Sequence, residues 1–217
     1  MRLVKHGHAC LELIEGESRL IIDPGLYTED FDGIENVSAV VVTHTHDDHC
    51  YEGQLDRILA LNPGVQIFGT DEVVARLKAS PNGERFNATT VYHGDLHLAG
   101  PFKLEFFGVM HAEIHRSIPL IHNTGVMVND TLYYPGDSFT TPDRPVPVLA
   151  CPASGPWLKI SEVMDFIAEV KPKFCFPTHN IHLSSYGHAL NNGRIQAVTV
   201  EGGGTFQYLE PGESTQL

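Results

Sequence analysis

Short apolar runs and amphipathic segments divide the first part of the chain into predicted strands and helices. The runs ACLELIE (9–15) and RLIID (19–23) flank the turn GES and predict a β-hairpin. The β-branched run SAVVVTH (38–44) predicts a buried strand. Three segments place apolar residues at helical spacing and predict amphipathic helices, the second with Asp71 as its N-cap: 49–63, 71–80 and 158–172.

The second half of the chain is richer in predicted strands. Segment 89–134 has a β-type pattern with a hairpin turn at 128–130, and two later runs predict buried strands, at 146–154 and 173–179. The remainder predicts one or two short helices and a last strand at 205–210. Strands followed by helices, twice, predict two mixed sheets packed face to face with helices outside. The length favours one domain over 1–217.

Composition and charge narrow the classes of partner. The chain has 217 residues, of which 42% are hydrophobic, and its 27 acidic against 14 basic residues give a formal net charge of −13. Nucleic acids and anionic membranes attract basic surfaces, so neither is expected as the main partner. The first residues lack a signal-peptide pattern, and no run approaches the ~18 apolar residues of a membrane helix. We therefore expect a cytoplasmic protein.

The four cysteines do not form a recognisable framework. They are scattered along the chain without a CxxC pair, at Cys10, Cys50, Cys151 and Cys175. Their mostly apolar surroundings predict buried free thiols rather than disulfides. Cys50 directly follows a histidine, and we interpret it as a buried thiol at a helix start rather than as a ligand.

The stretch THTHDDHC (43–50) crowds metal-binding side chains into one turn after a predicted strand. His44 and His46 are two residues apart at the strand end, where both rings can face one point. Asp48 and His49 would then face a second point nearby. A single ion could not comfortably use all four side chains from so tight a turn, which predicts two adjacent metal ions.

Three further candidate ligands follow predicted strands elsewhere in the chain. His111 ends GVMH, Asp137 ends YYPGD and His179 ends FCFPTH. Taken singly, Asp137 could be an ordinary turn residue after Pro135 and Gly136, and His179 an ordinary residue at a strand end. Their joint placement at strand ends favours a common site.

These motifs resemble those of the metallo-β-lactamase fold hydrolases. HTHDDH matches the HxHxDH signature of that superfamily, and His111, Asp137 in PGDS and His179 in PTH match its later motifs in the same order. DPG (23–25) matches its Asp-bearing segment, and GHACLEL resembles the opening of the ascorbate-phosphate-lactonase-like branch. The resemblance extends from residue 7 to about residue 180.

The resemblance implies a fold, a ligand set and a reaction. The fold is an α/β (α+β) four-layer αββα sandwich, with the site at one edge of the sheets. The reaction is hydrolysis of a small ester, lactone or phosphodiester by metal-bound hydroxide, with zinc expected and manganese or iron as alternatives. Asp48 would orient the attacking water. The implied ligands are His44, His46 and His111 for the first ion, Asp48, His49 and His179 for the second, and Asp137 as a bridge.

Two departures from related branches shape this expectation. His46 stands where the flavin-linked di-iron branch has a glutamate, which favours hydrolysis over redox chemistry. The chain also has no room for the inserted domain of the RNA-cleaving members. The partner expected is therefore a small-molecule substrate. A non-catalytic metal-binding protein and a nuclease remain alternatives, and a homo-oligomer remains open.

Four residues outside the ligand set are candidates for supporting it or contacting substrate. His8 precedes the first predicted strand, and Asp23 follows the second, where a carboxylate could bond a ligand imidazole. His115 and Arg116 lie in the loop after His111, where Arg116 could recognise a carboxylate or phosphate group. His115 and Arg116 could equally be solvated loop residues without a functional role. His8 could equally be an ordinary turn histidine.

Overall fold

The computed structural model describes residues 1–81 and 83–217 and contains two seven-stranded sheets. The strands of the first sheet are β1 Arg2–Lys5, β2 Leu11–Glu15, β3 Ser18–Ile22, β4 Val37–Val42, β5 Gln66–Gly69, β6 Asn87–Thr90 and β14 Ser214–Gln216. The strands of the second sheet are β7 Leu96–Ala99, β8 Phe102–Phe107, β9 Gly125–Val128, β10 Leu132–Tyr134, β11 Val148–Pro152, β12 Phe174–Thr178 and β13 Thr205–Phe206.

Each sheet has an antiparallel part and a parallel part. The first sheet has the order β14-β1-β2-β3-β4-β5-β6, antiparallel as far as β3 and parallel from β3 onward. The second sheet has the order β13-β12-β11-β10-β9-β8-β7, parallel from β13 to β10 and antiparallel beyond. The predicted pair of mixed sheets is therefore confirmed.

The buried apolar side chains form three layers, one between the sheets and one on the outer face of each sheet, and side chains that alternate along a strand enter different layers. Within β3 and β4, Ile22 and Val41 face the core between the two sheets, while Ile21 and Val40 face the outer layer of the first sheet. This is the twofold periodicity of a strand buried on both faces. Phe106 of β8 enters the central core from the second sheet.

The helices cover the two outer faces and complete a four-layer arrangement. Apolar residues of the first two helices pack on the first sheet, and those of the last two pack on the second. The helices are α1 Glu52–Leu61, α2 Asp71–Ala79, α3 Ile160–Val170 and α4 Ser185–Glu201, with a short 3₁₀ turn at Gly83–Arg85. None of the helices in the described ranges is long and apolar enough to cross a bilayer.

Several local expectations were wrong in detail. The segment expected to hold one or two short helices forms the single 17-residue helix α4. The N-cap of α2 is Thr70, whose hydroxyl accepts a hydrogen bond from the Val73 amide, and not Asp71. Strand β1 and the edge strand β14 were not predicted, because their pairing joins opposite ends of the chain and leaves no local signal.

Candidate metal centre

The predicted ligands follow strands whose carboxyl ends share one edge of the structure. Asp23 directly follows β3, His44 lies two residues after β4, Asp137 lies three residues after β10 and His179 directly follows β12. Ligand sites in α/β sheets lie at the carboxyl ends of strands, where loops diverge. His111 joins them from the segment after β8, which is held by an antiparallel bridge between Met110 and His122.

The side chains at this edge form two groups with metal-ligand spacing. In each group the candidate ligand atoms all lie within 4.8 Å of one another. Within the first group, His44 Nε2 and His46 Nδ1 are 3.1 Å apart, a separation suited to two ligands of one ion. The first group consists of His44, His46, His111 and Asp137, and the second of His8, Asp48, His49 and His179.

Asp137 lies between the two groups. Its Oδ2 is 3.3 Å from His111 Nε2 in the first group and 3.1 Å from His179 Nε2 in the second. Its Oδ1 is 3.3 Å from His49 Nε2. The carboxylate thus reaches both groups, with Oδ2 close to a ring of each and Oδ1 close to a second ring of the second group, which is a placement suited to a bridging ligand.

The polar atoms at the centre fit a pair of divalent ions. Several of them are buried and have no hydrogen-bond partner within the described part of the chain: Nε2 of His49, His111 and His179, and Oδ1 of Asp137. Buried polar atoms are normally satisfied, so a cluster of unsatisfied lone-pair donors around one point calls for a cation. Imidazole and carboxylate together suit zinc and similar metals.

A network behind the rings sets their orientation. His49 Nδ1 donates to Asp23 Oδ2 over 2.7 Å, and the Thr43 hydroxyl donates to the same oxygen over 2.7 Å. Thr43 Oγ1 in turn lies 3.0 Å from His44 Nδ1 and accepts its hydrogen. Each contact places the hydrogen on Nδ1 and leaves the Nε2 lone pair facing the centre. Asp23 therefore supports rings in both groups.

Close backbone packing holds the HTHDDH turn in place. A Cβ on Gly25 would lie 1.7 Å from the carbonyl oxygen of Asp48, so only glycine fits where the DPG segment crosses the turn. The Arg76 guanidinium of α2 binds Asp47 Oδ1 over 2.7 Å and the Thr45 carbonyl oxygen. No local pattern marks Arg76 in the sequence, because its partners lie 29 and 31 residues away.

Carboxylates in and beside the second group stabilise positive charge there. Burial opposes a charge on the His179 ring, but the Asp137 and Asp48 carboxylates raise the pKa of His179 to about 10. Burial likewise opposes ionisation of Asp137, yet His179 and His49 hold the pKa of its carboxyl well below the usual range. The centre therefore favours positive charge where these side chains meet, and a divalent cation supplies it.

Comparison with known proteins agrees with this geometry. The family model described as "Beta-lactamase superfamily domain" matches residues 2–179, most of the chain. The chain belongs to this superfamily. A Mycobacterium tuberculosis relative, protein Rv0786c, is 34% identical over 204 residues, covering 92% of this chain and 93% of its own length. The UPF0173 metal-dependent hydrolase of Aeropyrum pernix is 28% identical over 157 residues, covering 65% of this chain and 63% of that protein.

A solved structure supports the fold assignment. The metallo-β-lactamase fold protein YhfI of Bacillus subtilis superposes with a TM-score of 0.74 and 15% identity, covering 99% of both chains. At that identity the likeness concerns the fold alone. The superfamily inferred from HTHDDH and the later motifs is confirmed, and so is the α/β sandwich. The lactonase-like branch stays a prediction.

The loop candidates His115 and Arg116, and also Trp157 and Cys50, fall outside the two groups. His115 and Arg116 are exposed in the loop after His111. Within the described residues, the His115 ring forms hydrogen bonds only with the neighbouring Ser117. Trp157 is buried, with its ring 5.8 Å from that of His111 and 6.1 Å from that of His179. Cys50 is a buried free thiol that belongs to neither group, and burial raises its pKa to about 12.

Proposed function

We propose that this protein holds two divalent ions, zinc most readily, and hydrolyses a small ester, lactone or phosphodiester. Its coarse activity, metal-dependent hydrolysis, is that of the superfamily and of its UPF0173 relatives. The observation that carries the two-ion proposal is the position of Asp137, whose oxygens reach ligands of both groups at 3.1 to 3.3 Å. A single ion would leave the ligand atoms of one group unsatisfied.

The ligands divide as the two groups do. His44, His46 and His111 would hold the first ion, Asp48, His49 and His179 the second, and Asp137 would bind both. Bound divalent ions supply Lewis acidity and lower the pKa of water from ~15.7 to about 7. The remaining contributions come from the chain, which fixes the ligand rings through Asp23 and Thr43.

Asp48 is suited to orienting the water that attacks the substrate. Its side chain is 21% exposed, whereas those of Asp137 and Asp23 are 3% and 0% exposed, so it is the carboxylate on the open side of the centre. Burial alone would raise the pKa of this carboxyl, but contacts with His179 and His8 hold it below its usual range. Asp48 is therefore an ionised hydrogen-bond acceptor at neutral pH.

The surface beside the first group favours an apolar substituent on the substrate. A small cavity next to His46 and His111 is lined by apolar side chains of the following loop, including Ile114, Ile118 and Leu120. Arg116 of the same loop is exposed and absent from that lining. The cavity has room for about one water, but Ile118 and Leu120 are 44% and 49% exposed, and their surfaces would contact an uncharged acyl or alkyl group of the substrate. Recognition of an anionic group by Arg116 is the alternative.

Metal content is the first test. We expect about two ions of one kind per chain in protein purified without added metal or chelator, measured by plasma mass spectrometry. Well under one ion, with no uptake on reconstitution, would contradict the proposal.

Turnover is the second test. Fully loaded protein is assayed on matched esters, lactones, thioesters and phosphodiesters with short and long alkyl groups, and we expect hydrolysis in at least one class. Silence throughout would favour a non-catalytic metal-binding protein. Tight, salt-sensitive RNA binding would favour a nuclease.

A further inference from the structure

One histidine of the second group has the opposite hydrogen-bond arrangement from the others. The Nδ1 atoms of His49, His111 and His179 face oxygens that can only accept, namely Asp23 Oδ2 and the carbonyl oxygens of Ala112 and Ser154. In these rings Nδ1 carries a hydrogen, so the neutral form of each ring has its lone pair on Nε2, directed at the centre. All three rings are therefore set up as ligands.

His8 faces a donor instead of an acceptor. Its Nδ1 lies 3.1 Å from the backbone nitrogen of Ile181, whose N–H can only donate. Nδ1 therefore carries the lone pair, and the neutral ring places its hydrogen on Nε2. A ring protonated on both nitrogens could not accept this bond. The ring is held firmly, because the His179 amide also donates to the His8 carbonyl oxygen over 2.7 Å.

The hydrogen on His8 Nε2 faces the second group without a well-aligned acceptor. The side chain is 1% exposed, and within the described residues Nε2 makes no hydrogen bond. The ionised carboxylate of Asp48 is the nearest acceptor, with Oδ2 3.3 Å away, but the pair does not satisfy hydrogen-bond geometry. A buried N–H without a well-aligned acceptor is unusual in native structures and favours an acceptor that arrives from outside.

We propose that His8 is not a metal ligand, and that its Nε2–H donates a hydrogen bond to the substrate oxygen bound at the second group. This inference rests on the proposed hydrolase function. The competing assignment makes His8 a ligand alongside Asp48, His49 and His179, whose ligand atoms lie within 4.8 Å of it. A ligand would need the lone pair on Nε2, which would move the hydrogen to Nδ1 and place it against the N–H of Ile181.

The first experiment compares metal binding by three variants titrated with zinc alone. We expect His8→Leu and His8→Gln to bind the same number of ions per chain as the unaltered protein. His179→Leu, the matched removal of a ligand, should lose one ion. Loss of an ion in His8→Leu equal to that in His179→Leu would overturn the proposal.

The second experiment separates donation from coordination in the unaltered protein. Nitrogen NMR of ¹⁵N-histidine protein loaded with ¹¹³Cd should show coupling between the metal and the ligand rings. His8 should show no such coupling and a hydrogen on Nε2. Coupling at His8 would overturn the inference, and this readout needs no substrate and no variant.

The third experiment measures turnover of whichever substrate the screen finds. Removing one preorganised donor to a developing oxyanion costs about 10²–10³-fold in kcat, so His8→Leu should fall by that factor with little change in KM. His8→Gln carries an amide N–H on a longer side chain and should recover part of the loss. Unchanged kcat in His8→Leu would contradict donation to substrate. No turnover by any loaded protein would contradict the proposed function itself, while the NMR result would still decide whether His8 is a ligand.

Discussion

The two ligand groups share Asp137 but differ in the charge around them. In the first group, burial lowers the pKa of His44 and His46, with neighbouring imidazoles adding to the effect. In the second group, burial acts in the same direction and lowers the pKa of His8 to about 4, but carboxylates outweigh it at His49 and His179 and raise the pKa values of both rings. Imidazole rings a few ångströms apart thus have pKa values shifted in opposite directions.

The difference follows from where the carboxylates lie. Asp48 lies within the second group, and Asp23 lies directly behind His49. The first group is backed mainly by the neutral oxygens of Thr43 and Ala112. A divalent cation should therefore bind the second group more tightly, because more negative charge is already in place there.

Removing the shared ligand should have the largest effect. Asp137→Ala should weaken the binding of both ions and abolish turnover. The loss of affinity should exceed the ~10- to 100-fold that follows mutation of residues that only hydrogen-bond a ligand. Zinc titration and the activity screen would measure this. Asp143→Ala is the control, because Asp143 is an exposed carboxylate that belongs to neither group. Tight binding of two ions by Asp137→Ala would show that the groups are independent.

Removing one ligand from each group should separate the two sites. His111→Ala and His179→Ala should each bind about one ion, and the ion that remains in His111→Ala should be held more tightly. Isothermal titration with zinc would give both dissociation constants, with His115→Ala in the exposed loop as a control. The reverse order of affinity would contradict the charge comparison.

Changes behind the ligands should have smaller effects. Asp23 accepts from the Thr43 amide, the Thr43 hydroxyl and His49, so the amide group of Asp23→Asn would face at least one donor. We expect ~10- to 100-fold weaker binding, mostly of the second ion. Thr43→Val removes the acceptor for His44 and one of the three donors to Asp23, and it should weaken binding mainly of the first ion, by about tenfold or less. Equal effects of both variants on both ions would contradict this assignment.

The sequence was most informative where chemistry is local. The crowding of HTHDDH predicted two groups in one turn, and the runs before His111, Asp137 and His179 placed those residues at strand ends. The possibility that Asp23 bonds a ligand ring also followed from its position after a strand. The length of α4 and the pairing of β1 with β14 did not, because neither has a local pattern that excludes the alternatives.

The sequence by itself determined the superfamily, the sandwich of sheets and the identities of the candidate ligands, because strand periodicity and donor side chains are properties of short segments. Only the tertiary structure decided which ring nitrogen faces the centre. That choice depends on contacts such as Ile181 with His8 and Asp23 with His49, which join residues 173 and 26 positions apart. A histidine has the same two nitrogens everywhere in a sequence, and the groups packed against it determine which one carries the hydrogen.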